Sequence, residues 1–255
     1  MKSVYLTSYV GGYKKVDGTL VATQMNNSNG FVDCLKLDLP TEINFTFFAS
    51  SPDKIEVTEK FANTLKQSFV LDGFKIKEFN IIHDGFKGDI NKTVKSSDVI
   101  FLSGGHVGTQ NKFFKRINLA EMLKSYNGVL IGQSAGSMNS AKVVYDQPVT
   151  EEEFNDPNFE KEKSGLGITN LTIMPHMNVA KEEELCGVTT YQMCLMDSTK
   201  FPHYGIVDGG FIKISDGKTV AYGKTTFYKN GKEFEICAEN SCKVLENMVK
   251  ITKNM

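Results

Sequence analysis

The stretch VLIGQSAGSMNSA, residues 129 to 141, decides the fold. Four apolar or small residues lead into Gln133, Ser134 stands between Gly132 and Gly136, and small helix-compatible residues follow. A continuous apolar run bounded by glycine reads as a buried strand. A serine between two glycines, after such a strand and before a helix, is the strand–turn–helix context of a nucleophile turn. The string G-x-S-x-G is weak evidence by itself, so the surrounding chain has to support it.

Working outward, the flanks repeat one pattern. SVYLTSYV (3–10), INFTFFAS (43–50), FKIKEFNI (74–81) and DVIFLSGG (98–105) are short apolar, β-branched or aromatic runs. Between them lie segments with helical spacing. SPDKIEVTEKFANTLKQSF (51–69) places Ile55, Phe61, Leu65 and Phe69 near one face, with Ser51 or Asp53 as N-cap. GDINKTVKSS (88–97) is a short helix or turn, and KFFKRINLAEMLKSY (112–126) is an amphipathic helix. The polar segment 11–39 reads as a loop or small hairpin, and EEEFNDPNFEKEK (151–163) as a solvated loop.

This alternation predicts an α/β fold: a doubly wound, mostly parallel sheet flanked by helices, with strands 98–103 and 128–133 side by side at its centre. In such sheets the ligand site lies beyond the carboxyl ends of the strands, where both glycine turns fall. From residue 204 onward, DG and NG pairs between short strands predict C-terminal β-hairpins. The last residues, SCKVLENMVKITKNM, read as a terminal helix. No linker, repeat or low-complexity tract interrupts the chain, so residues 1–255 are expected to form one domain.

A formal net charge of -1 argues against nucleic acid as a partner. No apolar run approaches the roughly 20 residues that span a bilayer, and the N-terminus has no secretory pattern. A cytoplasmic protein, monomeric or a small homo-oligomer, is the expectation. Five scattered cysteines and four scattered histidines give neither a disulfide framework nor a metal-ligand spacing, so no metal and no cofactor is expected. Arg116 is the only arginine.

If Ser134 is a nucleophile, the amide of Ala135 points at a developing oxyanion, and Gly105, at the end of the neighbouring strand, supplies a second amide. The serine needs a base. His176, after a short apolar strand and Pro175, is well placed to enter a cleft; His106 follows the glycines and could line the pocket. His83 and His203 read as surface or capping residues. The carboxylate that orients the imidazole is Asp146 or Asp208.

These residues resemble a known family, the dipeptidase E (aspartyl dipeptidase) and cyanophycinase serine peptidases, which use a class-I-glutaminase-like fold. SGGH (103–106) resembles the family's glycine-rich oxyanion-hole loop, and GQSAGS (132–137) its G-x-S-A-G-A turn. DQP (146–148) resembles its acid-plus-proline segment, and PHM (175–177) its P-H-F. GIVDGGFIKISDGKTVAYG (205–223) resembles the stretch holding its second acidic residue. The motifs occur in family order over residues 98–223. Departures are Gln133 for an aromatic residue, Ser137 for alanine, His106 for asparagine and Asp208 for a glutamate. The segment after the histidine, arginine-rich in the aspartyl dipeptidase, reads NVAKEEELCGVTTYQM here.

The resemblance implies a serine-type peptidase acting on small peptides. Ser134 is then the nucleophile, His176 the base, and Asp146 and Asp208 the two acids it offers; Asp146, whose loop is given a fixed path by Pro148, is preferred as the orienting acid, with Asp208 as a supporting or substrate-amine contact. Two alternatives stand beside it: an α/β-hydrolase-type esterase, and a non-catalytic small-molecule-binding member of the same scaffold.

Overall fold

In a computed structural model, which describes residues 1–245, strands Ser3–Thr7, Val99–Leu102 and Val129–Gln133 are buried at every position. Strands covered on both faces are the mark of a parallel sheet between helices. They lie inside an eight-stranded sheet. Its order runs Cys242–Val244, Lys218–Tyr222, Phe211–Ser215, Ser3–Thr7, Val129–Gln133, Val99–Leu102, Glu42–Phe48, Lys75–Ile82. From Ser3–Thr7 to Lys75–Ile82 every pairing is parallel. The three strands from the C-terminal part add antiparallel pairings at the other side.

Alternate side chains feed two cores. Tyr5, Phe45, Phe47, Phe101 and Ile131 pack with Phe31, Leu35, Leu65 and Phe69 of helices Phe31–Asp38 and Ile55–Leu71. On the opposite face Leu6, Ile100, Leu102 and Leu130 pack with Phe113, Phe114, Leu119 and Leu123 of helices Val107–Arg116 and Leu119–Leu123. Helices on both faces make the sheet doubly wound.

A second sheet shares that opposite-face core through Ile173, Tyr204, Ile206, Phe227 and Ile236. Its order is Ile173–Met174, His203–Ile206, Thr225–Lys229, Lys232–Cys237. The first pair is parallel and the others are antiparallel. The expected C-terminal hairpins are present, with Asp216-Gly217 and Asn230-Gly231 all at positive φ, the backbone that two-residue hairpin turns require.

Several local expectations are corrected. Segment 11–39 contains the hairpin Gly11–Val16/Thr19–Met25 but also helix Phe31–Asp38. The helix expected over 112–126 starts earlier, at Val107, because the His106 side chain caps it by accepting from the Thr109 amide. It breaks at Asn118, whose φ is 54°. The 51–69 helix starts at Ile55 with Lys54, not Ser51 or Asp53, at its cap position. Segment 151–163 holds the short helix Glu151–Asn155, capped by Thr150, and opens the strand Glu162–Ser164. At the C-terminus Cys242–Val244 is an edge strand, and the rest of the expected terminal helix lies outside the described residues.

Candidate active site

Ser134 sits in the sharp turn between strand Val129–Gln133 and helix Ala135–Ser140, with φ 51° and ψ −113°. That backbone is costly for any residue with a Cβ, roughly 1–3 kcal/mol, and persists only where its surroundings enforce it. The flanking glycines are part of that enforcement. A Cβ on Gly132 would lie 2.7 Å from the Ser137 amide nitrogen, and one on Gly136 would overlap the Leu102 carbonyl. Beyond the turn, the Ser134 amide donates to the Thr7 carbonyl (3.0 Å), and the Ser137 hydroxyl contacts the Thr7 and Gly132 carbonyls, both at 2.7 Å. Ser137, where the family has alanine, is thus a buried brace of the turn.

His176 and Asp208 come from the second sheet. His176 lies two residues beyond Ile173–Met174, and Asp208 two beyond His203–Ile206. These strands are neighbours and parallel, with Met174 opposite Gly205, so their following loops emerge together. His176 Nε2 is 2.9 Å from Ser134 Oγ, and His176 Nδ1 is 2.8 Å from Asp208 Oδ1. Burial alone would raise the Asp208 carboxyl. Hydrogen bonds from His176 and Ser8 and the imidazole charge outweigh it, holding the group below the usual carboxylate range. An ionised carboxylate only accepts, so Nδ1 carries the proton and Nε2 is free to accept from Ser134. His176 itself has φ 59°, a second non-glycine residue in left-handed backbone at this site.

Asp146 does not reach His176, which corrects the preference for it as the orienting acid. It follows strand Val143–Tyr145, which pairs antiparallel with Glu162–Ser164 and sets Lys163 beside it. Its carboxylate is 3.0 Å from Lys163 Nζ. Burial, partly offset by Lys163, pushes its carboxyl up. Asp146 still lines the cleft at Ser134.

That cleft, about 410 Å³, brings together Gly105, Ser134, Asp146 and His176. Apolar walls come from Val107, Met138, Val149, Met174 and Met193, and Glu183 and Glu184 also line it. No lysine or arginine lines it among the described residues. Gly105, at φ 149°, has no room for a Cβ, which would strike the Ser50 side chain. Ala135 is the first residue of its helix, so its amide has no acceptor within the helix.

The other histidines are accounted for structurally. His106 caps its helix through Nδ1 and holds Glu153 through Nε2 at 2.7 Å, and it is not among the cleft-lining residues. His83 accepts from the Gly85 amide and faces Glu59. His203 is fully buried between the rings of Tyr145 and Tyr228, not at the surface, and burial lowers its pKa to about 4. Arg116 is paired with Asp84. The sequence reading missed Ser8, which holds Asp208 at 2.6 Å, and Asn178, whose side-chain oxygen accepts the Asp208 amide at 3.0 Å. Ser8 carries a faint signal, since it directly follows strand Ser3–Thr7 as Ser134 directly follows Val129–Gln133.

The family model for peptidase family S51 matches residues 35–221, well over half of the chain. The chain belongs to peptidase family S51. It is therefore a peptidase of the serine type, and the esterase of α/β-hydrolase type falls away as an alternative. Two solved structures share the S51 chain's fold. A peptidase from an acI-B1 Actinobacterium superposes with a TM-score of 0.66 at 16% identity, covering 95% of this chain and 96% of its own. A putative peptidase E protein from Listeria monocytogenes EGD-e gives a TM-score of 0.51 at 13% identity, covering 92% and 98%. No curated protein sequence matches the S51 chain. Among its described residues no helix is long and apolar enough to cross a membrane.

Proposed function

We propose that this S51 peptidase hydrolyses small peptides with Ser134 as nucleophile, His176 as general base and acid, and Asp208 as the acid that orients the imidazole. The observation that carries the reading is the continuous relay from Ser134 Oγ to His176 Nε2 at 2.9 Å and from His176 Nδ1 to Asp208 at 2.8 Å. As Oγ attacks the scissile carbonyl, its proton passes to Nε2. The imidazolium is stabilised by Asp208, and the tetrahedral oxyanion by the amides of Gly105 and Ala135. Nε2 then protonates the leaving amine, the C–N bond breaks, and an acyl-enzyme remains. Water, deprotonated by the same nitrogen, releases the acid and restores Ser134.

The size of the cleft suits a short peptide, since small-ligand sites run from about 300 to 1,000 Å³. Its charge argues against a preference for an acidic residue. An aspartyl side chain wants a fixed cation, best a guanidinium fork, and the sole arginine is engaged with Asp84. Glu183 and Glu184 line the cleft instead.

A fluorophosphonate tests the assignment. Treated protein digested and mapped by mass spectrometry should carry the adduct on Ser134, with labelling and peptide hydrolysis both lost in Ser134→Ala. A folded protein never labelled at Ser134 would favour a binding role for the same scaffold.

A further inference from the structure

Ser8 is fully buried and lies immediately after the first strand of the main sheet. Its hydroxyl donates to Asp208 Oδ1 at 2.6 Å and accepts from the His176 backbone amide at 2.8 Å. The same oxygen lies 3.5 Å from His176 Nδ1. A hydroxyl has one proton to give, and the short contact to an anionic oxygen takes it. Nδ1 is therefore left to donate to Asp208. The neighbouring backbone supports this placement. The Ser8 amide reaches the Gly210 carbonyl at 3.4 Å, and the Gly209 amide donates to the Tyr9 carbonyl at 3.1 Å. The Thr7 carbonyl accepts from the Ser134 amide. Two consecutive residues thus contact the nucleophile, the base and the acid.

We propose that Ser8 is a positioning residue of the active site: its hydroxyl fixes Asp208 Oδ1 against His176 and anchors the strained His176 backbone, so that base and acid, carried by one sheet, stay aligned with the nucleophile carried by the other. This rests on the Ser134–His176–Asp208 reading. Ser8 touches no substrate. Its effect passes through Asp208, whose Oδ1 takes bonds from both His176 and Ser8, while Oδ2 has only the Asn178 side-chain amide at 3.4 Å. Without the hydroxyl, the carboxylate loses a strong donor and the part-buried His176 amide loses its acceptor.

The test compares Ser8→Ala and Ser8→Thr with the wild type on a small peptide, and follows the Asp208 carboxyl carbon by NMR titration. Ser8→Ala should lower kcat about tenfold to a hundredfold, the worth of one hydrogen bond to a charged group, with KM within about twofold. Its Asp208 carbon should titrate at higher pH than in the wild type. Ser8→Thr, which keeps the hydroxyl, should restore most of kcat and the low titration. A folded Ser8→Ala with wild-type kcat and unmoved Asp208 titration overturns the proposal, even if the variant melts earlier. If Ser8→Ala does not fold, the near-isosteric Ser8→Cys serves, with the same two shifts expected in smaller measure and a full-rate, unshifted variant as the refutation. If wild-type protein neither labels at Ser134 nor cleaves peptides, the catalytic reading fails by itself. The Asp208 titration still decides whether Ser8 holds the carboxylate.

Discussion

Replacing Asp208 with asparagine removes a charge and keeps the shape, and the outcome depends on which way the amide settles. Oδ1 accepts from both His176 Nδ1 and Ser8, at 2.8 and 2.6 Å, whereas Oδ2 has only a 3.4 Å contact with Asn178. Two donors therefore select oxygen at the Oδ1 position, and the amide nitrogen takes the more open one. With oxygen toward the ring, the Nδ1–H tautomer survives, and what is lost is the attraction between a carboxylate and the imidazolium of the transition state. At about 4 Å between charge centres and an effective dielectric of about 20, that attraction is about 4 kcal/mol. The side chains are 38% and 32% exposed, so solvent screening brings it toward about 2 kcal/mol. The expected loss in kcat is then about 30- to 1,000-fold. That is less than the roughly 10,000-fold seen where an asparagine forces the wrong tautomer. Asp208→Ala, which removes the acceptor altogether, should fall further. Steady-state kinetics on one peptide at saturating concentration read all three proteins. A loss of about 10,000-fold or more in Asp208→Asn, equal to that of Asp208→Ala, would show that the amide turns its nitrogen to the ring and would refute the two-donor argument.

Asp146→Asn should behave in the opposite way. Burial already opposes the Asp146 charge more than Lys163 supports it, and Lys163 keeps its contact with the Glu160 carbonyl, so urea unfolding should move by no more than about 1 kcal/mol while kcat falls far less than in Asp208→Asn. His203 should make the fold acid-sensitive. Its folded pKa, about 4, lies below the unfolded value of about 6.5, so the unfolded chain binds more protons between the two. Stability is then full above about pH 6.5 and declines as pH falls toward 4, by an amount on the order of 3 kcal/mol. Denaturant melts across that range should lose most of this slope in a folded His203→Gln. Finally, aspartyl dipeptides should not be cleaved more than about tenfold faster than neutral ones, a margin of about 1.4 kcal/mol in transition-state binding. A larger preference would place a cation in the cleft that its lining does not contain.

The centre of the main sheet was legible because strands Ser3–Thr7, Val99–Leu102 and Val129–Gln133 are buried on both faces and read as continuous apolar runs. The sharp turn at Ser134 was legible for a steric reason, since Gly132 and Gly136 are the residues that let Ser134 sit where it does. The helix Phe31–Asp38 was hidden in a polar segment because only Phe31, Val32 and Leu35 are buried in it. The choice between Asp146 and Asp208 was not legible in the same way. Each follows a short apolar stretch, and what separates them is strand direction. Val143–Tyr145 turns back on Glu162–Ser164 and meets Lys163, while His203–Ile206 runs alongside Ile173–Met174 and delivers Asp208 to the imidazole. Pairing of this kind joins residues far apart in the chain. Ser8 was missed for a related reason, because its partners lie 168 and 200 positions away.

Ser134 and Ser8 follow strands of one sheet, while His176 and Asp208 follow strands of the other. The relay is thus a gauge set across a seam. Sliding one layer against the other by an ångström would cost packing along the shared core and break no pairing within either sheet, yet open the 2.9 Å gap between oxygen and nitrogen beyond proton transfer. Turnover should therefore fade under mild denaturant, heat or pressure well before the spectroscopic signals of the sheets do. A substitution anywhere along the shared apolar contact, such as at Ile206 or Leu102, can silence the enzyme from a distance while it still passes as folded.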